Sequence, residues 1–158
     1  MAISKLKYKF ITDLAEDLFV LTKHFIRTKN QFKWIKRFFA KNKTILIPIP
    51  LYWRRENWRG FNQSELLGKK LADYFGWQLR DDILIRQKAT QPQMSLKASQ
   101  RQQNIQGVFK IAPNIQMPQD VDILLFDDVW TTGSTLKEAA KVLKKAGFKK
   151  VYGLTICR

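Results

Sequence analysis

The segment Ile123–Thr135, with the sequence ILLFDDVWTTGST, decides the fold of this chain. Its first four residues form a continuous apolar run, which is typical of a strand covered on both faces in a mainly parallel sheet. Asp127 and Asp128 follow where this strand is expected to end. Ligands of open α/β sheets bind beyond the carboxyl ends of the strands. The two acids are therefore placed to meet a ligand rather than to fill a core.

A turn of small polar residues follows the acids and opens a helix predicted from about Leu136 to Ala146. The turn consists of Thr131, Thr132, Gly133, Ser134 and Thr135. Backbone N–H groups, hydroxyls and a glycine that can adopt positive φ, at the positive end of a helix dipole, are typical of an anion-binding turn. Carboxylates beside a phosphate would repel it, so we expect the acids to face sugar hydroxyls or a metal. A phosphorylated ribose meets both requirements. The alternative is an ordinary strand-to-helix turn with a capping hydroxyl and two solvated aspartates.

The segment resembles the phosphoribosyl-pyrophosphate signature of type I phosphoribosyltransferases. In that signature four apolar residues and two acids precede a phosphate loop rich in threonine and glycine. The segment is not a P-loop, because the lysine expected before the Ser/Thr is absent and the turn is too short.

Two further segments narrow the resemblance to the ComF-type competence protein family, a branch of the phosphoribosyltransferases. The run Ile45–Leu51, ILIPIPL, precedes Arg54–Leu67, RRENWRGFNQSELL, and Thr90–Phe109 reads TQPQMSLKASQRQQNIQGVF. The resemblance covers about Leu6 to the C-terminus. The positions that match recurring family features are Pro48, Pro50, Arg59, Gly60, Phe61, Asn62, Gln63, Thr90, Gln93, Leu96, Arg101, Asn104, Gly107 and Phe109.

One family feature is absent from this sequence. Members usually carry a four-cysteine zinc ribbon ahead of the transferase domain, whereas Cys157 is the only cysteine here. A single thiol cannot build a tetrahedral zinc site. Either this lineage lacks the ribbon or the chain begins after it. Cys157 ends the apolar run VYGLTIC, which predicts a buried strand residue rather than a nucleophile.

The resemblance implies an α/β fold of the type I phosphoribosyltransferase kind, with a mainly parallel sheet, helices on both faces and N-terminal amphipathic helices before it. A chain of 158 residues with 45% hydrophobic content can bury one substantial core. We therefore expect a single domain over residues 1–158, with a helical segment at 1–43. The long polar stretch 87–106 is expected to be a mobile lid loop, the alternative being a disordered surface excursion.

Apolar spacing predicts the remaining elements. Apolar residues recur at helical spacing between Leu6 and Phe25 and predict a first amphipathic helix. A second helix is predicted around Gln31–Ala40. Further along, the patterns predict a helix at Phe61–Phe75 closed by Gly76, and strands at Gln78–Ile85 and Gly107–Ile111. His24, the only histidine, lies on the first helix away from the predicted site, so we do not expect it to act as a general base.

The reaction implied by the resemblance is displacement of pyrophosphate from C1 of phosphoribosyl pyrophosphate with Mg²⁺, which needs no dedicated protein ligands. Asp127 and Asp128 would bind the ribose hydroxyls and influence the metal, while the turn Thr131–Thr135 would bind the 5-phosphate. The candidates for the pyrophosphate end are Arg59, Lys88 and Arg101, with Arg54 and Arg55 as weaker ones. Asn62 and Gln63 either fix the acceptor or cap a helix. The acceptor cannot be read from the sequence.

The charge of the chain favours a second hypothesis. Lys and Arg number 29 against 13 Asp and Glu, a formal net charge of +16, and basic residues are interleaved with Trp34, Phe38, Trp53 and Trp58. Such a surface attracts nucleic-acid phosphates and offers rings for unpaired bases. The alternative hypothesis is thus a non-catalytic single-stranded DNA-binding factor that uses the pocket as a ligand sensor. The basic residues can equally form a solvated face.

The expected setting follows from the same resemblance. ComF-type proteins are associated with natural transformation, so the expected partners are single-stranded DNA and DNA-uptake proteins. Phosphoribosyltransferases are often dimers, which is compatible with a homodimer. The N-terminal apolar residues are interrupted by charges and predict neither a secretion signal nor a membrane span. Low cysteine content is compatible with the cytoplasm, which is the expected location.

Overall fold

The computed structural model describes residues 13, 15–24, 27–28, 35, 43–90, 104–116, 118 and 120–157. Residues 15–24 are helical. The elements that follow are strand β1 (Thr44–Pro48), helices α1 (Trp53–Arg59) and α2 (Gln63–Phe75), strands β2 (Gln78–Leu79), β3 (Leu84–Arg86), β4 (Phe109–Ile111) and β5 (Asp122–Val129), helix α3 (Ser134–Lys145) and strand β6 (Val151–Cys157).

The main sheet is parallel and has the strand order β2-β1-β5-β6. β1 and β5 form its centre, with Thr44 opposite Asp122 and Pro48 opposite Phe126. Residues 122–126 of β5 are all buried, which agrees with the continuous apolar run that the sequence shows there. The predicted parallel α/β fold is confirmed.

Helices cover both faces of this sheet. Neighbouring residues of a strand point to opposite faces, so a continuous apolar run gives each face an apolar surface that a helix can cover. On one face Leu46, Leu124 and Phe126 pack with Leu67 and Leu71 of α2. On the other face the apolar core contains strand residues and α3 residues together: Ile45, Ile47, Ile123, Leu125, Leu136, Ala139 and Leu143. The fully buried central strands are therefore shielded from water on each side.

The strand order creates a switch point between β1 and β5. From β1 the chain passes through α2 to β2 on one side of the sheet, and from β5 it passes through α3 to β6 on the other. Because parallel crossovers are right-handed, opposite directions of travel put the two helices on opposite faces. The loops after β1 and β5 consequently separate, and the space between them is where ligands of open α/β sheets bind.

The N-terminal helical segment packs on the α2 side. Ala15 and Ile35 are buried in the same apolar cluster as α2, with Leu18 and Phe19 packed against it. Glu16 forms an ion pair with Lys70 of α2. Within the described residues the predicted amphipathic helix is confirmed for 15–24, and His24 is exposed on it. The rest of the helix predicted at Gln31–Ala40, apart from Ile35, lies outside the described residues.

None of the described helices is both long enough and apolar enough to cross a bilayer.

The predicted strand Gln78–Ile85 is wrong in one respect, because it forms two strands in different sheets. β2 pairs parallel with β1, whereas β3 pairs antiparallel with β4 in a separate two-stranded sheet. The break falls on a charged stretch in which Arg80 Nε donates to Asp82 Oδ1 at 2.6 Å. Charged side chains that satisfy each other in a turn are favoured over burial in a continuing strand.

Other predicted boundaries shift by a turn or less. α2 begins at Gln63 rather than Phe61, because Asn62 is its N-cap, and Gly76 closes it in the left-handed conformation as expected. α3 begins at Ser134 rather than Leu136. Cys157 lies on a strand but is exposed, so its predicted burial is wrong. Its strand, β6, is at the edge of the main sheet and is only partly covered.

Gly68 lies where α2 packs closely against the sheet. A Cβ atom at this position would lie 3.0 Å from Leu46 Cδ2 and 3.3 Å from Phe126 Cδ1. We expect Gly68→Val to lower the free energy of unfolding by about 1–3 kcal/mol through overpacking. Urea denaturation measures the change. The matched control is Lys69→Val at an exposed position of the same helix, which should change stability by less than about 1 kcal/mol. Equal stability of the two variants would contradict the close packing.

Candidate functional site

A cleft of about 410 Å³ opens at the carboxyl ends of β1 and β5, at the switch point of the sheet. It brings together the ends of both strands, the start of α2, the end of β3 and the turn before α3. The residues that line it are Ile49, Leu51, Asn62, Gln63, Ser64, Arg86, Thr90, Asp127, Asp128, Val129, Trp130, Thr131, Gly133, Thr135 and Leu136.

Asp127 is held firmly at one wall of the cleft. Its Oδ1 accepts hydrogen bonds from Ser64 Oγ at 3.0 Å and from the backbone N–H of Asp128 at 3.1 Å. Burial and, to a smaller extent, the charge of the neighbouring Asp128 raise the pKa of the Asp127 carboxyl to about 6, although the hydrogen bonds from Ser64 and from the Asp128 backbone act in the opposite direction. The site therefore holds a carboxylate whose charge is costly without a ligand.

The start of α2 is fixed to the end of β1 by Asn62. Its Oδ1 accepts from the backbone N–H of Ser64 at 3.1 Å, and its Nδ2 donates to the carbonyl oxygen of Ile49 at 3.1 Å. The side chain is buried, so both amide groups must be satisfied within the protein. Asn62 thereby sets the position from which Ser64 reaches Asp127. The capping role that the sequence suggested for Asn62 is real, and Asn62 also lines the cleft.

The turn before α3 has the shape expected for an anion site. Gly133 adopts φ +71° and is the N-cap of α3, and a Cβ atom there would lie 2.4 Å from the ring of Trp130. Only glycine fits that combination of backbone conformation and close contact. Thr132 Oγ1 lies 2.8 Å from Ser134 Oγ, which orders the turn from within. The first turn of a helix presents N–H groups that have no acceptor within the helix, and here it faces the cleft.

Arg86 supplies positive charge on another wall of the cleft. Among the described residues that line the cleft, Arg86 is the only lysine or arginine. Its guanidinium lies 5.7 Å from the ring centroid of Phe109, its register partner on β4, and donates a hydrogen bond to Thr90. A planar guanidinium stacked on a buried ring loses little conformational freedom when it binds a carboxylate or phosphate. The cleft thus contains a cation, two acids and a helix N-terminus.

The structure brings most of the predicted site residues to this cleft. Those that line it are Asn62, Gln63, Asp127, Asp128, Thr131, Gly133 and Thr135, while Thr132 and Ser134 form the turn behind them. Lys88 is exposed beside Gly107 and does not line the cleft. Arg101, most of the predicted lid (residues 91–103) and the side chains of Arg55 and Arg59 lie outside the described residues. Their predicted roles stay predictions.

Two residues that line the cleft, Ser64 and Arg86, were not predicted from the sequence. Ser64 directly follows the Asn62–Gln63 pair, and one more residue in the same motif would have included it. Arg86 stands immediately after the apolar run Ile83–Ile85, at the end of a strand. The end of a strand is a position typical of ligand-binding residues, but Arg86 belongs to the two-stranded sheet and not to the main sheet. The sequence pattern does not indicate that the two-stranded sheet faces the cleft.

The chain is similar to known proteins of one family. The phosphoribosyl transferase domain family matches residues 62–158. Competence protein F of Haemophilus influenzae is 34% identical over 166 residues, covering 94% of this chain and 72% of that protein. DNA utilization protein YhgH of Escherichia coli K12 is 36% identical over 115 residues, covering 72% of this chain and 48% of its own length. Competence protein ComFC of Bacillus subtilis is 35% identical over 118 residues, covering 72% and 44% respectively. The chain spans about half the length of the last two.

The raised pKa of Asp127 predicts a pH-dependent effect on stability. The group binds its proton more tightly in the folded than in the unfolded chain, so stability falls as pH rises from about 4 to about 6. Asp127→Asn removes this cost. Its stability advantage over the wild type should grow by about 1 kcal/mol between about pH 5 and pH 8, measured by urea denaturation.

Asp82→Asn is the control of opposite sign. The hydrogen bond from Arg80 lowers the pKa of Asp82, so this variant should be less stable than wild type at about pH 8. The difference should disappear only as the pH falls below the pKa of an unfolded Asp and through the lowered pKa of the folded group. An advantage of Asp127→Asn that does not depend on pH would contradict the assignment of a desolvated, ionisable carboxyl.

Proposed function

This chain belongs to the phosphoribosyl transferase domain family, in its ComF-type competence branch, and from that premise we propose that it binds phosphoribosyl pyrophosphate with Mg²⁺ and transfers phosphoribose to an acceptor, releasing pyrophosphate. The observation that carries the proposal is one cleft lined by paired acids, an anion-type helix turn and an arginine. A phosphorylated sugar diphosphate has a matching group for each of these three features.

The ligand is proposed to lie along the carboxyl ends of β1 and β5. Its 5-phosphate binds the turn Thr131–Thr135 at the start of α3. The ribose hydroxyls donate to Asp127 and Asp128, which are acceptors when ionised. The pyrophosphate faces Arg86, the basic residue of the described lining. The two negative ends are thereby kept apart from the two carboxylates by the uncharged sugar, which removes the repulsion that a phosphate beside the acids would suffer.

Catalysis in this arrangement consists of positioning and charge neutralisation. The bond between C1 and the pyrophosphate oxygen breaks, the pyrophosphate leaves with the electron pair, and the acceptor forms a new bond to C1 and loses a proton. Positive charge develops on the ribose beside two carboxylates, and negative charge develops on the leaving group beside Arg86. Groups that already point to the sites of developing charge stabilise the transition state without reorganisation.

The residues at the cleft fit Mg²⁺ as part of this proposal. The donors are hard carboxylate oxygens, which Mg²⁺ prefers. Within the described part of the chain no cluster of three or more His, Cys, Asp or Glu residues forms a metal cage. Pyrophosphate oxygens and water would therefore supply most ligands, and the ion would neutralise the pyrophosphate when bound. Asp127 and Asp128 would orient its water ligands and the ribose.

A second candidate function, binding of single-stranded DNA in a DNA-uptake role, is favoured by two exposed surfaces. On α1 the side chains of Trp58 and Trp53 are 85% and 55% exposed, and Arg54 lies over the Trp53 ring at 5.1 Å. Exposed rings beside a guanidinium are typical of surfaces on which unpaired bases stack. On α3 the exposed side chains of Lys137, Lys141, Lys144 and Lys145 form a basic helix face. Two of the similar proteins are named for competence and one for DNA utilization.

Calorimetry tests the first proposal with phosphoribosyl pyrophosphate, pyrophosphate and ribose 5-phosphate, each with Mg²⁺. Arg86→Gln should weaken pyrophosphate and phosphoribosyl pyrophosphate by about tenfold or more, because a charge-assisted hydrogen bond is lost, and should leave ribose 5-phosphate within about twofold. Asp127→Asn with Asp128→Asn should lose most phosphoribosyl-pyrophosphate binding while the thermal transition survives. The matched control is Arg80→Gln, which removes an arginine away from the cleft. Unchanged affinity in the Arg86 and aspartate variants would refute the site.

Fluorescence anisotropy with a labelled oligo-dT strand tests the second candidate. We expect an affinity that falls steeply as salt rises. Trp58→Ala should weaken binding by about 1–3 kcal/mol through lost stacking, and Lys137→Gln with Lys141→Gln should reduce the salt slope by about 1.4, since each phosphate contact with a single strand contributes about 0.7. Leu21→Ala is the control for an exposed apolar residue elsewhere on the surface. No binding even at low salt would exclude this function.

A further inference from the structure

The cleft is built from two structural units that do not share a sheet. The acids and the turn belong to the main sheet and α3, whereas Arg86 belongs to the antiparallel pair of strands β3 and β4, which we call the hairpin. An apolar cluster joins these units, with Val108 and Phe109 from the hairpin side and Leu136, Ala139 and Leu143 from α3. Apolar packing is non-directional, so by itself it sets contact more than orientation. A directional contact between the units would add to this packing and help to fix the distance across the cleft.

Glu138 provides such a contact. Its Oε1 accepts a hydrogen bond from the backbone N–H of Gly107 at 2.8 Å, and its side chain is 14% exposed. The other oxygen is 4.0 Å from Nζ of Lys141, whose side chain is 54% exposed. A hydrogen bond from a backbone N–H to a largely buried carboxylate is stronger than an exposed ion pair. The contact to Gly107 is therefore the main interaction of this side chain.

Gly107 is connected in turn to the strand that carries Arg86. Its carbonyl oxygen accepts from Gln87 Nε2 at 3.0 Å, and the backbone N–H of Gln87 donates to the carbonyl oxygen of Val108 at 2.9 Å. Gln87 directly follows Arg86 in the chain. Glu138, on the other side of Gly107, lies one helical turn after Ser134 and on the same face of α3. A short series of hydrogen bonds thus connects Glu138, one helical turn after the anion-binding turn, with Gln87, the residue next to the arginine.

We propose that Glu138 is a positioning residue that sets the separation between Arg86 and the turn at the start of α3, so that one ligand with two anionic ends engages both. The choice of phosphoribosyl pyrophosphate as that ligand rests on the proposed function. A ligand that spans two sites gains affinity from their connection only while the sites keep the matching distance. Loss of the Glu138 contact weakens the spanning ligand more than either half of it.

The test compares whole and half ligands in Glu138→Ala, Glu138→Gln and Asp73→Ala by calorimetry with Mg²⁺. In Glu138→Ala the affinity for phosphoribosyl pyrophosphate should fall about tenfold, while ribose 5-phosphate and pyrophosphate each change by less than about twofold. Glu138→Gln keeps an accepting oxygen and should restore most of the affinity. Asp73→Ala removes an exposed carboxylate from α2, away from this contact, and should behave as wild type. Equal losses for whole and half ligands, or no loss, would overturn the proposal.

A ligand-free measurement separates this inference from the proposed function. Amide hydrogen exchange in Glu138→Ala should become faster at Gly107 and also at Gln87, because the connection is released along the hairpin. Faster exchange at Gly107 alone would show that the contact is local and would overturn the positioning role. Faster exchange at both residues in a protein whose wild type binds no phosphoribosyl pyrophosphate would refute the proposed function and leave the coupling intact.

Discussion

Parallel pairing of β1 with β5 is the constraint on which the site depends. The chain leaves these two strands in opposite directions, through α2 on one face and α3 on the other. The loops that follow them must diverge, and a cleft opens between the strand ends. Residues 44–48 of β1 and 122–126 of β5 are all buried, so the register of the two strands is determined by which side chains reach each core. A slip of one residue would move Asp127 away from Ser64 and exchange the side chains that β5 contributes to the two cores.

The electrostatics of the cleft are unfavourable without a ligand. Burial and the charge of Asp128 both raise the pKa of Asp127, and the Ser64 hydroxyl offsets this only in part. Residues that lower stability in a folded chain are often found where a ligand later satisfies them. The surroundings of Asp127 are correspondingly rigid, because Asn62 ties the start of α2 to the end of β1. Tight packing of Trp130 on Gly133 holds the opposite turn in a similar way.

The two-sheet construction explains how the cleft acquires positive charge. The main sheet ends in acids and in small residues, and the described basic lining residue comes from the antiparallel hairpin. Its guanidinium is held by Phe109 and Thr90, and the hairpin is held against α3 by apolar packing and by the Glu138 contact. Opposite charges on separate units can approach a ligand from different sides.

The segment Ile123–Thr135 by itself determined the central strand, the acids at its end and the turn that opens α3, because these features depend on residues close together in the chain. Local chemistry also predicted the Gly76 terminus and gave a helix cap as one of two roles for Asn62, since both act within one helical turn. The split of Gln78–Ile85 into two sheets, the exposure of Cys157 on an edge strand and the approach of Ser64 and Arg86 to the cleft were decided only by the tertiary structure. Ser64 meets Asp127 across 63 positions of sequence. Such contacts depend on which strands pair and which faces pack, and neither periodicity nor spacing records that information.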